Sequence, residues 1–188
     1  MRPTALFTTV LVLMLFSVTY GQELPNKIRG YKVHNIKVAV KDQTGQPTTK
    51  DKADILVKLD EPEVSVNGLF SVAIEVVPEL TAMRQSGKID FVTFRDVRIN
   101  GIAVEIEEYR NGLLFTKNVP VLLPKPVRST ISIVGIAKAA YKELIESKKE
   151  WSVTGKVFVF GRFNRFGISF KRVVPVKIDM KIKNPLTV

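Results

Sequence analysis

Residues 174–183 (VPVKIDMKIK) alternate without a break. Val174, Val176, Ile178, Met180 and Ile182 point one way, and Pro175, Lys177, Asp179, Lys181 and Lys183 the other. A period of two is the mark of a strand with one face buried and one face wet. The same grammar recurs upstream. Ile36, Val38 and Val40 alternate with Lys37, Ala39 and Lys41, and Ile102, Val104 and Ile106 alternate with Ala103, Glu105 and Glu107. Residues 70–77 and 89–99, rich in valine, isoleucine and phenylalanine, are further strand candidates. In residues 151–160 (WSVTGKVFVF), Trp151, Val153, Val157 and Val159 share a face. Phe158 and Phe160 take the opposite face, so the end of this strand is apolar on both sides.

Turn chemistry separates these runs. Asn67-Gly68, Asn100-Gly101 and Asn111-Gly112 each pair two residues that tolerate positive φ, as a tight hairpin turn requires. Asn111-Gly112 is read as the hairpin between residues 104–109 and 113–116. Residues 161–167 (GRFNRFG) read as a loop, and residues 43–54 (QTGQPTTKDKAD) as a polar loop behind an N-terminal strand. One stretch departs from the strand rhythm. Ile136, Ala140 and Leu144 recur every four residues beside Tyr141 and Ile145, opposite Lys138, Lys142, Glu146 and Lys149. That spacing predicts an amphipathic helix from about Gly135 to Glu150, packed on the sheet by its apolar face. Many short strands with a single helix predict an all-β fold, an antiparallel immunoglobulin/fibronectin-like β-sandwich with one amphipathic helix.

The chain begins with Arg2, an apolar run over residues 5–16 (ALFTTVLVLMLF), and Thr19 and Gly21 at small-residue spacing. That order predicts a secretory signal peptide over residues 1–21, with the mature chain starting near Gln22. The run is shorter than the roughly 20 residues a membrane helix needs. The expected location is outside the cytoplasm, periplasmic or extracellular; the alternative is an uncleaved membrane anchor. The remainder divides into an N-terminal strand and polar loop, 22–54, and a sandwich domain, 55–188. No cysteine is present, so thiolate catalysis and thiolate metal sites are excluded.

The formal net charge is +11, which draws the protein toward polyanions. Outside the cytoplasm those are an anionic membrane surface, an acidic glycan or an acidic protein, with no nucleic acid expected. The stretch that looks most like a binding site is Arg162, Phe163, Arg165 and Phe166, joined by Lys171 and Arg172 and, if the strands fold back, by Arg128. Arginine interleaved with phenylalanine offers anion contacts and stacking together. No enzymatic constellation emerges. His34 is the single histidine, and no Gly-x-Ser-x-Gly turn or phosphate-cradling glycine loop is present. The acid clusters Asp60-Glu61-x-Glu63 and Glu105-x-Glu107-Glu108 could serve glycoside hydrolysis or calcium, but the second reads as a solvated strand face. No catalytic residue, cofactor or metal is assigned.

Residues 96–109 (DVRINGIAVEIEEY), the proline-marked 119–133 (VPVLLPKPVRSTISI), the helix and WSVTGK at 151–156 come in an order that resembles the water-stress and hypersensitive-response (WHy) domain. That domain defines the folded second group of late embryogenesis abundant proteins. Residues 77–80 (VPEL) stand where the family has an Asn-Pro-Asn turn. The resemblance implies a sandwich with one helix, no catalytic residues and a link to desiccation tolerance. The leading expectation is thus an exported, non-enzymatic, stress-protective protein acting by non-covalent contact with anionic surfaces or proteins. The alternatives are an Ig-like accessory module for an acidic partner and a hydrolase of an envelope polymer.

Overall fold

The alternating C-terminal stretch lies in the longest strand pairing among the described residues. The computed structural model describes residues 24–41, 53–67, 71–132, 149–165 and 167–184. β14 (Glu150–Arg165) and β15 (Ile168–Lys183) run antiparallel from Glu150↔Lys183 to Arg165↔Ile168. β8 (Ser86–Ile99) pairs along the other side of β14. Around these three, β1 (Lys27–Ile28), β2 (Tyr31–Val33), β9 (Ile102–Ala103) and β11 (Leu113–Phe115) complete a seven-stranded sheet. The alternation of β15 is obeyed: Val174 and Met180 are buried, while Lys177, Asp179, Lys181 and Lys183 are exposed.

Two four-stranded sheets face it. One holds β3 (Val38–Lys41), β4 (Ile55–Leu59), β7 (Pro78–Ala82) and β12 (Pro120–Leu122). The other holds β5 (Glu63–Asn67), β6 (Ser71–Val76), β10 (Glu105–Ile106) and β13 (Val127–Ser132). They are two halves of one kinked layer, because β4 runs into β5, β6 into β7 and β12 into β13. Pro62, Pro78, Pro124 and Pro126 sit at those junctions. Proline cannot donate to a ladder, so the pairing breaks there and resumes at a new angle.

The first half packs Ala82, Leu80 and Val121 against Val92, Phe115 and Val174 of the large sheet. The second half packs Val72, Ile74 and Ile131 against Val97, Ile99 and Trp151. Trp151 is wholly buried. The described fold is thus all-β and sandwich-like.

Phe158, Phe160 and Val173 point away from this interior, as alternation in the sequence requires. They are covered by the β1–β2 hairpin through Ile28, Tyr31 and Val33. Its two-residue turn is Arg29-Gly30, both at positive φ (50° and 81°), the twist that fits flanking strands. Tyr31 meets Phe91 and Phe160 edge-on at 5.8 and 5.3 Å, and those two rings stack at 4.3 Å.

Three sequence expectations are corrected. Asn111-Gly112 does not close a hairpin between its flanks. Leu113–Phe115 pairs with residues 87–89 of β8, and Tyr109 bridges Val92 of the same strand. β8 is long enough to receive both flanks along one edge. The working turn is Asn100-Gly101 (φ 49° and 82°), which joins β8 to β9. Residues 161–165 are not a loop but the end of β14, paired in register to β15. Of the helix expected from about Gly135 to Glu150, residues 135–148 lie outside the described residues, and its expected end is corrected: Glu150 already opens β14, paired to Lys183. Among the described residues there is no helix.

Candidate anion-contact surface

The outer face of the large sheet gathers cations by register. Lys156 of β14 lies opposite Arg95 of β8 on one side and Lys177 of β15 on the other. Six residues along β14, about 20 Å at the usual strand rise, Arg162 lies opposite Lys88 and Lys171 in the same way. All six side chains are exposed. Directly opposed residues have β-carbons about 5 Å apart, and like charges there repel. Each row is therefore a standing cost that a bound anion would relieve.

Irregularities in β8 set the two rows apart. A register shift between Phe160 and Gly161 leaves Asp90 without a ladder partner. Its carboxylate turns to the outer face, accepts a hydrogen bond from the Tyr31 hydroxyl at 3.0 Å and lies 3.6 Å from Arg162 Nε. The Arg162 row is thus partly neutralised. The second shift, between Thr154 and Lys156, accompanies Asp96 at positive φ (52°). Such bulges re-aim side chains. Here Arg95 lies over the Phe158 ring at 5.7 Å. The acid paired to this row is Asp179, 3.7 Å from Lys177, with both side chains more than 70 % exposed. A pair that open contributes little. The Arg95–Lys156–Lys177 row keeps nearly its full charge.

The β1–β2 hairpin borders this face. Arg29 donates to Glu108 at 2.8 Å and lies 5.5 Å from the centre of the Phe91 ring. The hydrogen bond from Arg29 holds the Glu108 carboxyl below the usual carboxylate range. Burial, with Asp90 as acceptor, pushes the Tyr31 hydroxyl up. A carboxyl with a depressed folded pKa stabilises above its unfolded value and loses that contribution as pH falls through the folded one. The protection of the amides of residues 31–33, their exchange corrected for the intrinsic rate at each pH, is therefore expected to fall at acid pH. Arg29→Gln is expected to remove that acid-side change, and an unaltered pH profile in the variant would refute the assignment.

The structure divides the stretch expected to bind. Arg162 and Lys171 are cross-strand partners on the outer face. Phe163 is buried at 3 % exposure and packs on Phe115 at 5.9 Å, a core residue rather than a contact. Arg172 lies over Phe170 at 5.2 Å. Arg165 ends β14, with nothing described of its side chain, and Phe166 lies outside the described residues. Arg128 is in β13 beside Glu75 at 3.7 Å, in a different sheet from the hairpin. The residues that sequence reasoning missed, Arg95, Lys156, Lys177 and Lys88, are far apart in the chain. The signal that could have found them is the pairing register of three long strands.

The acid clusters are spread along strands. Glu105 and Glu107 are exposed, and Glu108 is shared by Arg29 and Arg110. Among the described residues no three His, Asp or Glu side chains converge as a metal site would need. The backbone N–H of His34 donates to the Val173 carbonyl at 2.9 Å where the chain leaves the large sheet for β3. Among the described residues no helix is long and apolar enough to cross a membrane.

No protein-family model and no curated protein matches the chain. Among solved structures it is similar to a protein from Archaeoglobus fulgidus, at 8 % identity over 68 % of this chain and 95 % of that one, with a TM-score of 0.36. A likeness at that score does not define a fold.

Proposed function

We propose that the protein is an exported, non-enzymatic β-sandwich of immunoglobulin/fibronectin-like type that works by reversible contact with an anionic lipid surface. The observation that carries this reading is the in-register row Arg95–Lys156–Lys177 on an open sheet face. The net charge of +11 supports it, as does the second row around Arg162. A broad sheet face suits a broad surface better than a pocketed ligand. The WHy-like order of segments and the signal-like start fit a stress-protective role, in which membranes losing water are held by many weak charge contacts.

Contacts of this kind are screened by salt. The Debye length falls from about 30 Å at ~0.01 M to about 3 Å at ~1 M. Co-sedimentation with phosphatidylglycerol vesicles is expected at low salt and lost at high salt, with none on phosphatidylcholine alone. No retention on phosphatidylglycerol at the lowest salt would defeat the reading. Retention on acidic glycan beads but not on vesicles would move it to the acidic-partner alternative.

A further inference from the structure

The sandwich interior is not filled. Between the large sheet and the β3–β4–β7–β12 sheet lies a chamber of about 250 Å³. That is larger than the ~150 Å³ apolar cavity that stays dry and takes up benzene. Its wall is almost wholly hydrocarbon. Val174, Val176, Ile178 and Met180 line it from β15, and Val57 and Leu59 from β4. Tyr109 is the one lining residue that carries a hydroxyl, and that hydroxyl accepts a hydrogen bond from the Lys125 N–H at 3.1 Å. Whatever occupies this space must carry no hydrogen-bonding groups in the part that enters.

The chamber is also elongated. Val174 to Met180 spans about 20 Å at the antiparallel strand rise. One flank is a seam between strand edges. β2 pairs with β15 at Arg172 and Val173, and among the described residues no strand pairs with the outer edge of β15 from Val174 to Ile182. β3 is the edge of the opposing sheet. Val38, Val40 and Ile178, which line the chamber from these two edges, are half-buried. Lysines alternate with the lining residues on the outward faces of the strands beside the seam: Lys37 before β3, Lys58 in β4, and Lys177 and Lys181 in β15, all exposed and long enough to bend toward the rim.

We propose that the chamber binds one linear acyl chain of an anionic single-chain lipid, a fatty acid, with its carboxylate at the lysine-bordered seam. A narrow hydrocarbon slot needs a flexible chain without polar groups, and a cationic margin selects a negative head. The site uses the inner face of the sheet whose outer face carries the basic rows, so it stands apart from surface contact.

The test is titration of the full-length protein with cis-parinaric acid, whose emission rises in an apolar site. Saturable binding of one probe per protein is expected, displaced by palmitate and not by glucose. Val57→Trp and Val176→Trp fill the slot and are expected to weaken binding at least tenfold. Replacing Arg95, Lys156 and Arg162, outer-face cations away from the seam, together by glutamine is expected to leave uptake within twofold. Absence of saturable emission in the wild type overturns the proposal, as does equal binding by filled variants with native circular dichroism. Should the filled variants not fold, native mass spectrometry of the wild type with stearate decides. A one-to-one adduct supports the site, and its absence, or stearate adducts of every stoichiometry alike, overturns it.

Discussion

Val174→Asp is expected to lower stability by about 4 kcal/mol or more, enough to leave much of the protein unfolded. Val174 is 1 % exposed and sits among Val92, Phe115 and Phe163, where a carboxylate finds no partner. Three residues on, Lys177→Asp is expected to change stability by less than about 0.5 kcal/mol, because Lys177 is on the open face. Urea midpoints of the two variants check this. Similar midpoints would mean that the face assignment of β15 is wrong.

Gly161→Ala is expected to cost about 2–3 kcal/mol. A β-carbon at Gly161 would stand 2.6 Å from the Lys88 carbonyl oxygen and 3.3 Å from the Ile89 α-carbon. Both are backbone atoms at the register shift, so neither can rotate away. Gly112→Ala provides the contrast. Its nearest atom is the Lys88 ε-carbon at 3.1 Å, part of a flexible and exposed side chain. Thermal melting should show a marked loss for the first variant and a small change for the second. Equal losses would place the close approach elsewhere.

Local pattern made the strands legible, and long-range pairing did not. The alternation at 174–183 and the two-sided apolar end at 158–160 follow from residue type alone, and both faces stand where the sequence puts them. Between residues 104–109 and 113–116 the sequence misleads, because Asn-Gly permits a hairpin without requiring one. Where a long strand such as β8 offers an open edge, the segment lies along it instead. Arg29-Gly30 is not legible as a turn, because arginine at positive φ carries no turn signature, yet it closes the hairpin that places Tyr31 on the sheet. The candidate surface was half visible. Arg162 and Lys171 are near each other in sequence and pair across strands. Arg95, Lys156 and Lys177 become neighbours through register, which composition and periodicity do not encode. Phe163 looked like a stacking residue because the alternation that buries it was hidden by reading its segment as a loop.

The most direct test of the central claim compares two variants that lose the same number of charges. One replaces Arg95, Lys156 and Lys177 by glutamine. The other replaces Lys58, Lys125 and Arg128, exposed cations outside the large sheet. Affinity for phosphatidylglycerol vesicles at low salt is measured for both, with melting temperatures to confirm folding. The expected result is a loss of at least tenfold for the first variant and less than threefold for the second, a difference of about 0.7 kcal/mol or more in binding. Equal losses would contradict the claim, because binding would then follow net charge and not the row on the sheet.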